Sequence, residues 1–148
     1  MSVTFEKQAA TLQEFIEGWR KWTPEAFLPT FSADCTQTAL PFNSGKHTRS
    51  REDLERLFPV LMSTLSNFEL TIHNIVHDSA ERKAAIYAMT KADTPFGPYS
   101  NEQAVFLWFN EEGDKVEKIE EMFDSAFMAK FMPNFREYMA KQSTAEAA

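Results

Sequence analysis

The run Val116–Phe123 (VEKIEEMF) sets two carboxylates side by side, Glu120 and Glu121. It reads as a strand, in which successive side chains alternate between faces. Ile119, Glu121 and Phe123 then share one face, and Lys118, Glu120 and Met122 share the other. Glu121 stands between two large apolar side chains. A carboxyl enclosed there loses hydration and its pKa rises, which makes a Glu usable as acid or base near neutral pH. The plainer reading is a solvated or ion-paired sheet face, with Glu120 the alternative inward carboxylate. Asp124, just beyond, suits either a helix cap or a catalytic place on the rim of a cavity.

A second run, Tyr99–Phe109, puts Tyr99, Asn101, Gln103, Val105 and Leu107 on one face. Ser100, Glu102, Ala104, Phe106 and Trp108 take the other. The first set passes from polar to apolar, as a mouth deepening into a greasy floor would. Asn101 and Gln103 could hold a ligand carbonyl or hydroxyl, with Tyr99 assisting proton transfer. Glu102 is the rival, because parity fails at a bulge. His73 lies inside another strand, opposite in parity to Leu70, Ile72 and Val76, so it faces either a second apolar side or solvent, and an imidazole is a residue type suited to general base work. Tyr87 could add a phenol from a neighbouring strand. His47 and Arg49 sit in a loop that could close over a ligand. Trp19 and Phe58, with Phe15 and Trp22, would line a core or its cavity.

Other chemistries lack their residues. The four glycines form neither a phosphate-binding loop nor a dinucleotide fingerprint. His73 and His77 would stand roughly 13 Å apart along a strand, too far to share a metal. No metal site and no cofactor is expected. Cys35 is the lone cysteine, so it forms no internal disulfide and reads as a small buried hydrophobe. The net charge of −7 disfavours a nucleic-acid partner, which needs a basic patch. No stretch has the length of a membrane span, and the first residues lack a basic-then-apolar leader. The expectation is a cytoplasmic protein that takes a hydrophobic small molecule.

The elements that must position these groups follow from periodicity. Apolar residues recur at three and four through Thr4–Trp22, marking a helix. Thr23-Pro24 caps a short second one to about Phe31. Cys35–Leu40 suits a strand and Pro41–Arg49 a loop. Ser50 with Asp53 opens a third helix that Pro59 bends. The period then turns to two over Phe68–Val76, Lys83–Lys91, Tyr99–Phe109 and Val116–Phe123, and Ser125–Ala140 closes as a helix. Hairpins without crossover helices imply antiparallel pairing. The 14 phenylalanines imply a thick core or an apolar cavity. The predicted fold is α+β: a cone-shaped, curved antiparallel sheet packed on three N-terminal helices, with a C-terminal helical segment. Residues 1–142 form one domain, and residues 143–148 a disordered tail.

Three stretches, Phe42–Leu54 (FNSGKHTRSREDL), Phe96–Phe109 (FGPYSNEQAVFLWF) and Lys115–Phe127 (KVEKIEEMFDSAF), make the chain resemble the SnoaL-like branch of the nuclear transport factor 2-like superfamily. The resemblance covers Thr4 to Met139 and is to fungal members that act as isomerases or cyclases on polyketide, terpenoid and alkaloid intermediates. It implies a cone fold, a homodimer through the outer sheet face, and catalysis without metal or organic cofactor. The closing-strand motif falls on Ile119, Glu121 and Asp124-Ser125, which marks Glu121 as the inward carboxylate. Gln103 departs from the tyrosine common in relatives, so it could orient an oxygen but not serve as a comparable acid.

The leading expectation is a cofactor-free isomerase or cyclase in which Glu121 moves a proton, with His73 or Tyr99 assisting. A dehydratase is the near variant. A non-enzymatic carrier or interaction module is the alternative from a different class, and it requires Glu121 to face solvent.

Overall fold

The structure, a computed structural model, describes residues 2–147, without the side chains of residues 146 and 147. Helix α1 (Val3–Lys21) is capped by Ser2, whose hydroxyl accepts from the Phe5 N–H at 3.2 Å. It buries Leu12, Phe15, Ile16 and Trp19. Gly18 lets α2 (Pro24–Phe27) approach closely, since a Cβ there would lie 2.6 Å from the Ala26 carbonyl. Thr23 caps α2 by accepting from the Ala26 N–H at 3.2 Å. Strand β1 (Phe31–Leu40) follows, then α3 (Arg51–Thr64) with the reciprocal Ser50–Asp53 capping box. Strands β2 (Ser66–Asp78), β3 (Lys83–Thr94), β4 (Gly97–Phe109) and β5 (Val116–Phe123) precede the last helix, α4 (Ser125–Ala147).

The five strands form one sheet in the order β1-β5-β4-β3-β2. This corrects the cone-shaped, curved antiparallel sheet expected from sequence. The sheet is open, neither closed nor curled, with β1 and β2 as separate edges. It is also mixed, because β1 pairs parallel with β5 while the remaining pairs are antiparallel. The connection through α3 carries the chain from one edge to the other, and β5 returns late to lie beside β1. No hairpin links those two strands, so turn signals could not reveal their direction. The inner face needs no closure to be covered, because helices lie over both of its ends.

That coverage makes two apolar clusters. In one, Phe15, Trp19, Phe27, Phe31, Leu54 and Phe58 pack on Ile86, Val105, Leu107 and Ile119 of the sheet. In the other, Phe131 and Phe135 of α4 pack on Leu65, Ala92 and Tyr99. Burying one such side chain stabilises the fold by about 1.5–3 kcal/mol. Helix α4 continues to Ala147 through most of the stretch read as a tail; residue 148 lies outside the described residues.

Candidate functional site

The register brings Glu121 to the centre of the inner face. Val105 of β4 stands opposite it on one side and Ala39 of β1 on the other. Two amides grip its carboxylate. Gln37 Nε2 donates to Oε1 at 2.7 Å, and Gln103 Nε2 donates to Oε2 at 3.4 Å. Gln103 is itself fixed, because its Oε1 accepts from the Thr90 hydroxyl at 3.1 Å. Thr90 and Gln103 are both buried, so each needs a partner and together they hold one amide orientation.

The surface that Glu121 retains opens on an inner recess of about 60 Å³, lined by Phe15, Trp19, Trp22, Phe27, Phe58 and Leu61. Burial among these side chains pushes its carboxyl up to about 6. The amide of Gln37, the positive charge of Arg49 and the amide of Gln103 pull the other way. Desolvation is the larger effect, since so apolar a wall stabilises the neutral acid. Arg49 is brought close by exchanging both backbone hydrogen bonds with Gln37, at 2.8 and 3.0 Å.

Gln37, Phe58 and Leu61 line both this recess and an adjoining outer cavity of about 350 Å³ at the seam of the two clusters. Tyr99, Met128, Phe131 and Met132 line its apolar walls, and Lys46, His47, Arg49 and Arg136 lie around it. Volumes of about 300–1,000 Å³ are typical of small-molecule sites. Tyr99 is buried, and that burial chiefly raises its phenol pKa. Its oxygen accepts from Asn101 Nδ2 at 3.1 Å and lies within hydrogen-bonding reach of the Thr90 hydroxyl. Asn101 Oδ1 in turn accepts from the Asp124 N–H at 2.9 Å, tying β4 to the start of α4.

The structure therefore gathers Glu121, Gln103, Tyr99, Asn101, Arg49, His47, Trp19 and Phe58 in or beside two adjoining spaces. It leaves three predicted residues elsewhere. His73 and Tyr87 stand exposed on the outer face, their rings 5.9 Å apart. The Tyr87 hydroxyl donates there to Glu102 at 3.0 Å. In β2, His73 alternates with the core-packed Leu70 and Ile72 and so stands on the outer face, beside a register shift between Ile72 opposite Ala88 and Asn74 opposite Tyr87. Asp124 is exposed and caps α4, accepting from the Phe127 N–H at 3.1 Å. Glu120 turns outward, 3.7 Å from Lys118.

Gln37, Thr90, Lys46, Met128, Phe131 and Arg136 went unread in the sequence. Gln37 had a signal: Cys35 and Ala39, two residues away on either side, are buried on its face. The parity logic that singled out Glu121 applies to it equally. The α4 residues had none, since which face of a C-terminal helix docks depends on the sheet it meets. Among the described residues, no group of three His, Cys, Asp or Glu side chains could hold a metal ion. Among them, too, no helix is long and apolar enough to cross a membrane.

The chain matches no protein-family model. It is 61% identical over 140 residues to "Monooxygenase nsrQ" of Aspergillus novofumigatus, covering 95% of this chain and 93% of that protein. It is 55% identical over 138 residues to "Monooxygenase AacuP" of Aspergillus aculeatus, covering 93% and 95%. Among solved structures it is similar to the BvnE pinacolase of Penicillium brevicompactum, with a TM-score of 0.82, 24% identity and coverage of 90% and 93%. It is also similar to PrhC of Penicillium brasilianum, with a TM-score of 0.79, 25% identity and coverage of 93% of each chain.

Proposed function

The chain belongs to the fungal SnoaL-like, nuclear transport factor 2-like family of secondary-metabolism enzymes, and on that premise we propose that it is an acid–base isomerase or cyclase for a hydrophobic polyketide-type, terpenoid or alkaloid intermediate. The single observation that carries this reading is Glu121, a carboxyl poised at about 6 between two fixed amides in an apolar recess. Such a group removes a proton from one substrate atom and returns it to another, a net change that needs no co-reactant. Tyr99 donates its phenol proton to the substrate oxygen that gains charge, and Arg49 adds positive charge at the throat. The walls exclude water and fold the substrate against Glu121. A carrier would have no use for a carboxyl in that recess. The structurally similar BvnE is named a pinacolase, which is a rearrangement catalyst by its name.

A second reading, monooxygenation, is favoured by the names of the two fungal relatives above. The site would begin in the same way. Glu121 would take a proton from an activated CH₂ group, and the resulting carbanion would reduce O₂, with the balance R₂CH₂ + O₂ → R₂C=O + H₂O.

Deletion of the gene and isolation of the metabolite that accumulates supplies the substrate for both tests. The purified protein is expected to convert it without oxygen to a product of the same elemental composition. Glu121→Gln should slow that conversion about 100-fold or more, the usual size of a general acid–base contribution. A product that gains oxygen and requires O₂ would replace the isomerase reading by the second one. Unchanged turnover in Glu121→Gln would refute both.

The quaternary state belongs to the same proposal. Val76, Tyr87, Phe106 and Met122 are 41–59% exposed on the outer sheet face. Val76 and Phe106 both pair with Ala85, while Tyr87 and Met122 both pair with Ala104. This apolar band supports a homodimer through that face, an arrangement that leaves the inner cavity free.

A further inference from the structure

The outer cavity is electrostatically unlike the chain that builds it. Acidic residues exceed basic ones by seven overall, yet the charged residues lining the cavity are Lys46, Arg49 and Arg136, with His47 beside them. Lys46 and Arg136 also line an adjoining groove of about 330 Å³ along α4, and among the described residues no Asp or Glu lines either space. Among the described residues, none of these three cations lies within 4.0 Å of a carboxylate. They come from separate places: Lys46 from the loop after β1, Arg49 from its bridge to Gln37, and Arg136 from α4. In an acidic protein, unpaired positive charge converging on one cavity raises the local concentration of anions and orients them on entry.

We propose that the substrate is an aromatic acid, whose carboxylate stays at the mouth against Lys46 and Arg136 while its reacting end enters the recess of Glu121. This rests on the acid–base reading of the same site and adds the class of molecule it takes. The rings of Phe58, Tyr99 and Phe131 and the thioethers of Met128 and Met132 offer the flat, adaptable walls that a fused-ring body fits. The polarity runs opposite at the two ends. The recess stabilises a neutral acid at Glu121, whereas the mouth stabilises an anion, so the charged end of the ligand is held away from the reacting carboxylate. Arg49, between them, answers to both.

The test uses the full chain and two fluorescent probes of one shape, anthracene-2-carboxylate and neutral anthracene-2-carboxamide. Each exposed cation contributes roughly two- to five-fold to anion binding. With both mouth cations in place the carboxylate should therefore bind about 4- to 25-fold tighter than the carboxamide at low salt. That preference should fall as salt is added. In the double variant Lys46→Gln/Arg136→Gln it should drop below about two-fold. Both side chains are exposed, so this variant should keep its fold, which circular dichroism checks. Equal or tighter binding of the carboxamide overturns the proposal, as does an unchanged preference in the double variant or no binding of either probe. Glu121→Gln separates the two readings. The carboxylate preference should persist in it while turnover is lost. Loss of the preference with turnover still dependent on Glu121 would sink the substrate class alone, and the converse result would sink the acid–base reading alone.

Discussion

Replacing Glu121 by Gln removes a group whose protonation the fold shifts, and the stability of the variant should report that shift. The folded carboxyl sits at about 6, against an ordinary value of 4.5. At about 1.4 kcal/mol per pH unit, the difference is about 2 kcal/mol. Its sign follows from linkage. A carboxyl raised by folding holds its proton more tightly in the native state than in the unfolded chain. It therefore favours the native state below about 4.5, and that contribution is lost as pH rises through about 6. Gln has no proton to release, so the variant lacks this component. Urea unfolding of both proteins from pH 4 to pH 8 isolates it, because other titrating groups cancel in the difference. Relative to wild type, Glu121→Gln should gain about 2 kcal/mol between the two ends, equivalent to a rise of about 4–8 °C in Tm for a domain of this size. Its absolute offset depends on how Gln37 and Gln103 re-pair with a neutral amide, which does not affect the pH-dependent part. A stability difference that stays flat with pH would show that Glu121 titrates as it does in the unfolded chain. A change of opposite sign would mean that the charged form is the stabilised one. Either result would refute the desolvated recess and the acid–base role built on it.

Gln37→Leu takes away a donor to the ionised carboxylate at 2.7 Å. The pKa of Glu121 should rise further, moving the rising limb of the pH–rate profile upward by about one to two pH units, since hydrogen bonds to charged groups are worth about 1.5–3 kcal/mol. His73→Ala and Tyr87→Phe should each leave turnover within about two-fold of wild type in steady-state assays, because surface changes away from a site seldom exceed about 0.5 kcal/mol. A larger loss in either would bring the outer face into the chemistry. Light scattering should give twice the mass of one chain, with Phe106→Glu shifting the population toward monomer; a monomeric wild type would remove the dimer.

Which side chains face inward was legible locally. The alternation around Glu121 and along Tyr99–Leu107 depends on the period of a strand alone, and β4 buries alternate residues as that period requires. Capping at Thr23 and Ser50 was equally local, because the donor and acceptor lie three residues apart. His73 obeys the same period, alternating with the core-packed Leu70 and Ile72, but its own segment does not say whether the opposite face is covered or solvated, and the structure leaves it exposed.

By itself, then, the sequence determined the α+β composition, the placement of Glu120 and Glu121 on opposite faces and the polar edge formed by Tyr99, Asn101 and Gln103. Each is a property of a contiguous segment. Only the tertiary structure decided that the sheet stays open and that β1 lies parallel to β5. It alone brought Gln37 across to grip Glu121 and turned α4 so that Arg136 lines the same cavity as Lys46. The physical reason is separation along the chain. Gln37 and Glu121 are 84 residues apart, and no local preference specifies a contact at that distance. It forms because burying the apolar faces of helices and sheet together outweighs the entropy of closing the loops between them.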